Sequence, residues 1–438
     1  MTLHIDELSK SRYDTVMLEK SLLLVKKAIP TKVFSLCAPA YHYSINLLGA
    51  ILYRFPSKEI TVVGVTGTKG KSTTVELINA ILEEAGFTTA LSGTVRFKIG
   101  NSSKENLYKM SMPGRFVLQR FLRKAVSAGC TYAVMEITSQ GVLQHRQKFI
   151  DLDALVFTNL SPEHIESHGS YENYRDAKLT IAKGLEQSKK KRRIIVVNKD
   201  DKESPRFLAY KIPENYSFSL KDAEPYTLFE EGSSITIDGT PVNLHVAGEF
   251  NIYNTLAAVT FAKTQNIGTE IIIRALEKFN GVPGRVQKID EGQDFKVIID
   301  YAHTPDSLQK IYGVFPKARK ICVLGSTGGG RDTWKRAEMA KIAERHCEHI
   351  ILTDDDSYDD DPREITAQMK AAITTKDALI EIDRRLAIRK AFELAKPGDA
   401  VLITGKGTDP YLMGPNGAKI PWSDAQVARE ELQKVVRK

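Results

Sequence analysis

A glycine-rich stretch at residues 64–72, GVTGTKGKS, has the residue types and spacing that bind a polyphosphate. It joins a buried strand predicted at 59–65 to a helix predicted at 71–85. Glycines let the backbone turn so that its N–H groups face phosphate oxygens, and the helix N-terminus adds positive potential. The charge of Lys71 suits the outer phosphates, and the hydroxyl of Ser72 suits Mg²⁺. The predicted phosphate-binding residues are Gly67, Thr68, Lys69, Gly70, Lys71, Ser72 and Thr73.

One position of this loop departs from the strict Walker A pattern, because Val65 stands where that pattern has glycine. The alternative to phosphate binding is a purely structural turn. The Gly-Lys-Ser ending between a strand and a helix favours phosphate binding.

A second group suited to Mg²⁺ is Glu136, at the end of a strand predicted at 132–137. Carboxylate oxygens are ligands that Mg²⁺ prefers, and Mg²⁺ at such loops is shared with nucleotide phosphates. We therefore expect Glu136 and Ser72 to hold one ion together with the nucleotide. The alternative is an exposed acid at a strand end.

Further segments resemble, in the same order, those of the Mur ligase family, and within it the enzymes that add the third amino acid of the peptidoglycan stem peptide. The resemblance covers about residues 57–435. Besides the phosphate loop, it rests on residues 134–146, 158–178, 197–201, 248–254, 281–285, 300–306 and 405–407. It implies an enzyme that uses ATP to convert a peptide carboxylate to an acyl phosphate, which the amine of an amino acid then attacks.

The resemblance also implies roles for individual residues. It makes Lys71, Glu136, Lys178 and His164 catalytic. His164 and Lys178 join Ser72 and Glu136 as metal ligands for two Mg²⁺ ions, with Lys178 carbamylated by CO₂. The implied ATP-binding residues beyond the loop are Asn254, Arg285, Asp300 and His303. The donor-binding residues are Ser111, Ser139 and Arg146, and those for the acceptor amino acid are Arg331, Asp355, Asp356, Gly405 and Asp409.

The departures from the family pattern concentrate where substrates would bind. Ser111-Met112-Pro113 replaces Thr-Thr-Pro, and Gln140 replaces a histidine. Residues 355–358, DDSY, replace Asp-Asn-Pro-Arg, and Thr408-Asp409 replaces His-Glu.

These substitutions change the expected substrates. With Tyr358 in place of arginine and acids clustered at 354–361, we expect lysine or ornithine to be favoured over diaminopimelate as the acceptor. The alternative is that these acids are simply solvated. Only about 56 residues precede the ATP domain, which puts binding of a UDP group in doubt.

The order of predicted elements indicates an α/β protein. Strands and helices alternate from 59 to 198, giving a phosphate-loop domain with a mostly parallel sheet covered on both faces. A hairpin with its turn at Asp238-Gly239 and a helical pair at 251–279 follow. Alternation then restarts, with strands predicted at 295–300, 320–325, 349–353 and 400–404 in a Rossmann-like C-terminal domain.

Three segments result from this pattern. Residues 1–56 form a small helical segment with helices at about 12–28 and 40–54, 57–284 form the central ATP-binding domain, and 285–438 form the C-terminal domain that binds the amino acid. The linker is placed at 281–284, where glycine and proline interrupt both periods.

Composition excludes several classes of protein. With 42% hydrophobic and 26% charged residues among 438, the chain is not mostly disordered. The net charge of +8 suits anionic ligands, and the basic run at 189–193 is expected to be solvated rather than to bind nucleic acid. The four cysteines show no zinc spacing, so neither a zinc site nor a disulfide framework is expected.

The remaining expectations concern where the protein acts and which alternative functions stay open. No signal peptide or membrane span is predicted, and a monomeric cytoplasmic enzyme of cell-wall synthesis, with effects on cell shape and division, is expected. One rival is another amide ligase of the superfamily, similar to folylpolyglutamate synthases. The other is a noncatalytic protein resembling a P-loop NTPase.

Overall fold

The computed structural model describes residues 31–114, 116–163, 165–331 and 333–436. The first element is helix α1, Thr31–Leu52, which overlaps the helix predicted at 40–54 but begins earlier. The helix predicted at 12–28 lies outside the described residues. Helix α1 packs on the central domain through Asn46, which donates to the backbone oxygen of Gln144 at 3.3 Å. None of the described helices is long and apolar enough to cross a membrane.

The central domain is built on an eight-stranded sheet in the order β4-β3-β2-β5-β1-β6-β7-β8. All neighbouring strands are parallel except β2–β3 and β3–β4, which are antiparallel. The strands are β1 Thr61–Thr66, β2 Thr89–Ser92, β3 Arg96–Ile99, β4 Ser102–Glu105, β5 Tyr132–Glu136, β6 Ala154–Phe157, β7 Ile194–Asn198 and β8 Glu214–Phe218.

A small antiparallel sheet, β11-β10-β9, is attached to this domain. Its strands are β9 Thr227–Phe229, β10 Gly232–Ile237 and β11 Thr240–Leu244. The predicted hairpin turn is confirmed: Asp238 and Gly239 both have positive φ, 49° and 80°, as a two-residue hairpin turn requires.

Helices cover both faces of the central sheet, as the alternation of elements predicted. They are α2 Lys71–Glu84, α3 Val117–Ser127, α4 Ser139–Leu143, α5 Ile165–His168, α6 Tyr171–Glu186, α7 Ser204–Leu208, α8 Glu249–Thr264 and α9 Thr269–Lys278. Successive residues of β1 point to opposite faces, so Val63 packs in the core beneath α2 and α8, while Val62 packs in the core beneath α3 and α6. Both cores are apolar, which is why the strands appear in the sequence as continuous hydrophobic runs.

The C-terminal domain repeats this architecture with a six-stranded sheet in the order β12-β13-β17-β14-β15-β16. Only β12 is antiparallel to its neighbour. The strands are β12 Gln287–Ile289, β13 Lys296–Asp300, β14 Lys320–Leu324, β15 His349–Leu352, β16 Ala378–Ile380 and β17 Ala400–Thr404, with a separate pair β18 Tyr411–Met413 and β19 Lys419–Pro421. The helices are α10 Pro305–Gly313, α11 Lys335–His346, α12 Pro362–Lys370, α13 Arg384–Leu394 and α14 Asp424–Val436.

Three short 3₁₀ helices complete the described structure, Pro56–Glu59, Leu220–Ala223 and Pro415–Gly417. The predicted α/β fold with two parallel-sheet domains is confirmed. The domain limits at 56/57 and 284/285 stay a prediction, and the two large sheets lie on either side of residue 284.

The linker between the sheets passes very close to another glycine-containing turn. Gly284 has φ of 64°, and a Cβ atom placed on it would lie 2.5 Å from the backbone of Gly407 and Thr408. A Cβ atom on Gly407 would in turn lie 2.8 Å from the Gly284 oxygen. The two turns therefore meet backbone to backbone.

One expectation about the cysteines is wrong. Cys322 in β14 and Cys347 after α11 form a disulfide, with Cα atoms 6.0 Å apart. Because β14 and β15 are adjacent and parallel, the residue that enters β15 lies beside β14 although 25 residues separate the two cysteines. Sequence spacing alone gave no sign of this pair.

The C-terminal domain also contains a fully buried ion pair. The guanidinium of Arg384 donates two hydrogen bonds to the carboxylate of Asp424, at 2.8 and 2.7 Å, and both side chains are 0% exposed. The same guanidinium donates to the backbone oxygen of Thr404 at 2.9 Å, which ties α13 and α14 to the end of β17.

Removing the guanidinium should therefore destabilise the protein strongly. We expect Arg384→Met to cost about 3–5 kcal/mol, because it leaves the Asp424 carboxylate buried without its cation. Equilibrium unfolding in urea measures this. Lys341→Met, which removes the exposed pair with Glu338, is the control and should change stability little. Equal midpoints for both variants would contradict the prediction.

Candidate active site

A cleft of about 810 Å³ lies between the central and C-terminal domains. It is lined by residues from the phosphate loop, the ends of β5 and β13, helix α6, and the loops that carry Ser111 and Arg331. The cleft brings together seventeen of the predicted site residues, Thr68, Lys69, Gly70, Lys71, Ser72, Thr73, Ser111, Glu136, Ser139, Arg146, Lys178, Asn254, Arg285, Asp300, His303, Arg331 and Asp409. Gly67, Asp355, Asp356 and Gly405 are not part of its lining, and His164 lies outside the described residues.

The phosphate loop has the backbone that its glycines permit. Gly67 and Gly70 have φ of 150° and 84°, and α2 begins at Lys71 directly after the second of them. The loop is held from below by Asn159, whose backbone oxygen accepts from Thr68 N at 2.8 Å and whose side-chain oxygen accepts from Lys69 N at 2.9 Å. A Cβ atom on Gly70 would collide with the side-chain oxygen of Asn254. Asn254 therefore fixes how close the loop can come to α8.

Two lysines lie over this loop. The ammonium of Lys71 donates to the backbone oxygens of Gly67 and Thr68, both at 2.9 Å. The ammonium of Lys178, from α6, donates to the same Gly67 oxygen at 2.7 Å, and this side chain is almost completely buried. Burial lowers the pKa of both lysines, well below the usual value for Lys178, where the charge of Lys71 acts in the same direction.

Glu136 lies beside the loop because of strand register. In the parallel pair β1–β5 it is opposite Val65, so its carboxylate is at the carboxyl end of the sheet where the loop begins. It is buried and accepts from Thr94 twice, from the backbone N at 2.7 Å and from the hydroxyl at 2.9 Å. The Thr94 hydroxyl also lies 2.5 Å from that of Ser111. Glu136 is thus connected both to the phosphate loop and to the predicted donor-binding segment.

Two residues predicted to hold the nucleotide, Arg285 and Asp300, have different surroundings. Arg285 lies with its guanidinium 4.3 Å from the centre of the Tyr301 ring and lines the cleft. Asp300 has both carboxylate oxygens occupied at 2.7 Å by the backbone N of Val286 and of Ala302, and burial raises its pKa. Asp300 therefore shapes the turn that presents Arg285.

A chain of charged groups crosses the cleft at His303. The ammonium of Lys69 lies 2.9 Å from a carboxylate oxygen of Glu163, and His303 Nε2 lies 3.5 Å from the same oxygen. His303 Nδ1 is 2.7 Å from the Tyr301 oxygen, and burial lowers the pKa of His303. Glu163 was not among the residues predicted from the sequence, although it is adjacent to His164, which was. Only the fold shows that Glu163 contacts residues of both domains.

The predicted donor-binding residues lie together on the other side of Glu136. Ser139 is the first residue of α4 and is buried. Arg146 donates to the backbone oxygen of Met112 and, at 2.5 Å, to the side-chain oxygen of Gln144. Ser111, Ser139 and Arg146 all line the cleft, so the structure brings this predicted set together.

The acidic segment that was expected to favour an acceptor with a distal ammonium has partners within the protein, and the acceptor preference itself stays a prediction. Asp356 accepts from Lys109, from Lys406 at 2.7 Å and from the backbone N of Met413 at 2.9 Å. Burial opposes its ionisation, but Lys406 and Lys109 outweigh burial and lower its pKa. Asp355 lies against Gly405, 4.0 Å from Lys406, and burial raises its pKa to about 6.

The later acids of this segment have structural partners as well. Asp359 accepts from the backbone N of Asn416 at 2.6 Å, Asp360 accepts from Gly329 N at 3.1 Å, and Asp361 caps α12. These acids hold loops in place and are not a free negative surface.

Two lysines of this region were missed by sequence analysis as site residues. Lys406 is completely buried between Asp356 and Asp409, and Lys109 reaches Asp356 from the central domain. Lys109 and Asp356 are 247 residues apart, so no local pattern connects them. The one available signal was the position of Lys109 two residues before Ser111.

The pattern of the Mur ligase middle domain matches residues 65–262, and that of the Mur ligase, glutamate ligase domain matches residues 284–407. The chain belongs to the Mur ligase family. Members of this family form amide bonds with ATP. The sequence of the present chain is 38% identical over 423 residues to that of the UDP-N-acetylmuramoyl-L-alanyl-D-glutamate–2,6-diaminopimelate ligase of Syntrophomonas wolfei. The match covers 93% of this chain and 85% of that ligase.

Solved Mur ligase structures have the same fold. A UDP-N-acetylmuramoyl-L-alanyl-D-glutamate–2,6-diaminopimelate ligase structure superimposes with a TM-score of 0.59 at 27% identity, covering 86% of this Mur ligase and 79% of that chain. The MurF ligase of Thermotoga maritima, in complex with ADP, superimposes with a TM-score of 0.64 at 19% identity, covering 89% and 83%.

The collision at Gly70 gives a test of the loop. We expect Gly70→Ala to weaken ADP binding by about tenfold or more, because the new Cβ atom displaces either the loop or Asn254 and misaligns the N–H groups. Fluorescence titration with a labelled ADP measures this. Gly86→Ala is the matched control, since Gly86 has a similar φ of 86° but open space around it. Similar ADP affinities for both variants would contradict the prediction.

Proposed function

We propose that this Mur ligase joins an amino acid to the carboxylate of a peptidoglycan-precursor peptide through an acyl phosphate. The observation that carries the proposal is the meeting, in one cleft, of the phosphate loop with Lys71 and Lys178, the predicted donor residues, and Arg331 from the opposite domain. The relatives' names supply the substrate class, a UDP-N-acetylmuramoyl peptide and an amino acid. No observation favours the folylpolyglutamate-type or noncatalytic rival.

The nucleotide is ATP, bound with its phosphates on the loop. The backbone N–H groups of residues 70–72, at the N-terminus of α2, would face the β- and γ-phosphates, and Lys71 would exchange its backbone oxygens for phosphate oxygens. Arg285 and His303 approach from the C-terminal domain. Closure of the two domains therefore completes the nucleotide site.

The residues beside the loop fit Mg²⁺. The described residues include no group of three or more His, Cys, Asp or Glu side chains suited to a metal. Mg²⁺ does not need one, since it is commonly held by one or two protein oxygens together with phosphates and water. Ser72 and the buried Glu136 supply such oxygens, and the proposed site also includes His164. When bound, the ion neutralises charge on the transferred phosphoryl group.

Lys178 is proposed to carry a carbamate. Burial and the charge of Lys71 favour its neutral amine, which is the form that adds to CO₂. In that step the amine nitrogen bonds to the carbon of CO₂, one C–O π-bond becomes a carboxylate, and the nitrogen proton leaves to solvent. The resulting anion lies beside Lys71 and would supply oxygens for a second Mg²⁺.

The reaction then needs no nucleophile from the protein. A donor carboxylate oxygen, held near Ser111, Ser139 and Arg146, attacks the γ-phosphorus and ADP leaves. The acceptor amine, oriented by Arg331, attacks the acyl carbon, and phosphate leaves from the tetrahedral intermediate. The protein's contribution is to hold both substrates in line and to neutralise charge in a cleft shielded from water. A cytoplasmic, monomeric enzyme that acts in cell shape and division stays a prediction.

The role of Lys71 is testable directly. We expect Lys71→Ala to lower ADP formation at least about a hundredfold, because the γ-phosphate loses its positive partner. Coupled spectrophotometric detection of ADP with donor, acceptor and ATP measures this, with melting temperature as the check on folding. Lys183→Ala, an exposed lysine of α6, is the control. Turnover by Lys71→Ala close to that of the control would remove the loop assignment.

The carbamate has its own signature. We expect Lys178→Ala to lose activity and to regain part of it with added short carboxylates such as formate or acetate, which can occupy the space of the carbamate. Rate is measured against carboxylate concentration, with Lys71→Ala as the variant that the same additives should not rescue. Full activity of Lys178→Ala without additives would exclude the carbamate.

A further inference from the structure

A five-membered charge cluster borders the acceptor side of the cleft, which two of its members, Lys109 and Asp409, line. Asp355, Asp356 and Asp409 face Lys406 and Lys109. Lys406 is completely buried and belongs to the same domain as the three acids, so it is a fixed internal counterion. Lys109 is the member that comes from elsewhere.

Lys109 reaches the cluster from the central domain. It lies on the loop between β4 and α3, with φ of 55°, and its ammonium pairs with Asp356 and, at 3.3 Å, with Asp409. Its side chain is 15% exposed, and it lines the cleft together with Arg331. The ammonium also lies 5.9 Å from the centre of the Tyr358 ring, over which Arg331 packs at 5.4 Å. Lys109 is therefore placed in the acceptor part of the site, not on the outer surface.

Lys109 changes the balance of positive and negative groups in the cluster. With both lysines, two ammonium groups face three carboxylates; without Lys109, one ammonium would face three. Burial lowers the pKa of Lys109, as does the charge of Lys406, while the carboxylates of Asp409 and Asp356 act in the opposite direction. Lys406 alone would leave the buried carboxylates of Asp356 and Asp409 with one negative charge that is not compensated, and a second cation compensates it.

We propose that Lys109 is a specificity-determining residue that occupies the place of an acceptor's distal ammonium. Its ammonium satisfies Asp356 and Asp409, so the cluster does not select an acceptor for a positive side chain. The wild-type enzyme therefore does not prefer lysine over meso-diaminopimelate, despite its acidic acceptor segment. This inference rests on the proposed ligase function, and it adds to that function a residue from the donor-side domain.

The test compares acceptors in variants that differ in charge. We measure kcat/KM for lysine and for meso-diaminopimelate in wild type, Lys109→Met and Lys109→Arg. Lys109→Met keeps the length of the side chain and removes its charge, so the lysine-to-diaminopimelate ratio should rise about tenfold. Lys109→Arg keeps the charge and should leave the ratio within about threefold of wild type. Asp409→Asn removes a carboxylate and should move the ratio in the opposite direction.

A purely structural role would lower both rates together and leave the ratio unchanged. An unchanged ratio in Lys109→Met, or an equal shift in Lys109→Arg, would overturn the inference. If Lys109→Met folds but does not turn over, the ratio of dissociation constants from calorimetric titration of the two amino acids decides in the same way. Absence of ADP formation by the wild type with every acceptor would instead count against the proposed function.

Discussion

The carbonyl oxygen of Gly67 accepts hydrogen bonds from two ammonium groups, those of the half-buried Lys71 and the buried Lys178. Two like charges this close, away from water, are tolerated only if an anion lies between them or one of them loses its charge. This carbonyl belongs to a glycine with φ of 150°, a backbone conformation that residues with a side chain rarely adopt. Much of the site follows from this arrangement, since it makes a region that is stable with a polyphosphate and strained without a compensating negative charge.

The two domains meet through polar side-chain contacts at opposite ends of the cleft. At the nucleotide end Glu163 faces Lys69 and His303, and at the acceptor end Asp356 faces Lys109. At the acceptor end, Lys109 is on the loop that carries Ser111, and at the nucleotide end Glu163 contacts both Lys69 of the phosphate loop and His303. A movement of either loop would therefore disturb a contact between the two domains.

The sequence predicted well what is decided locally. Strand–helix alternation and the spacing of glycines fixed the position of the phosphate loop, and most predicted strands lie within two residues of those observed. Glu136 was placed correctly because parallel strands end at one edge of a sheet, so that its position opposite Val65 follows from the topology.

What the sequence did not predict depends on residues distant along the chain. The Lys109–Asp356 pair and the Cys322–Cys347 disulfide each need the complete fold to bring the two partners together. The same holds for the acidic segment at 354–361, in which Asp356, Asp359 and Asp360 accept hydrogen bonds from distant parts of the chain. Formal charge is visible in a sequence, but its compensation is not.

The contact between Gly284 and Gly407 restricts which amino acids can stand at these two positions. Each glycine excludes a side chain on the other, since a Cβ atom on either would enter the backbone of its neighbour. If either glycine is replaced by a larger residue, the other cannot be made smaller, because it is already glycine. A second substitution therefore cannot restore the fit. The point where the linker meets the turn at 405–407 therefore requires glycine on both sides of the contact.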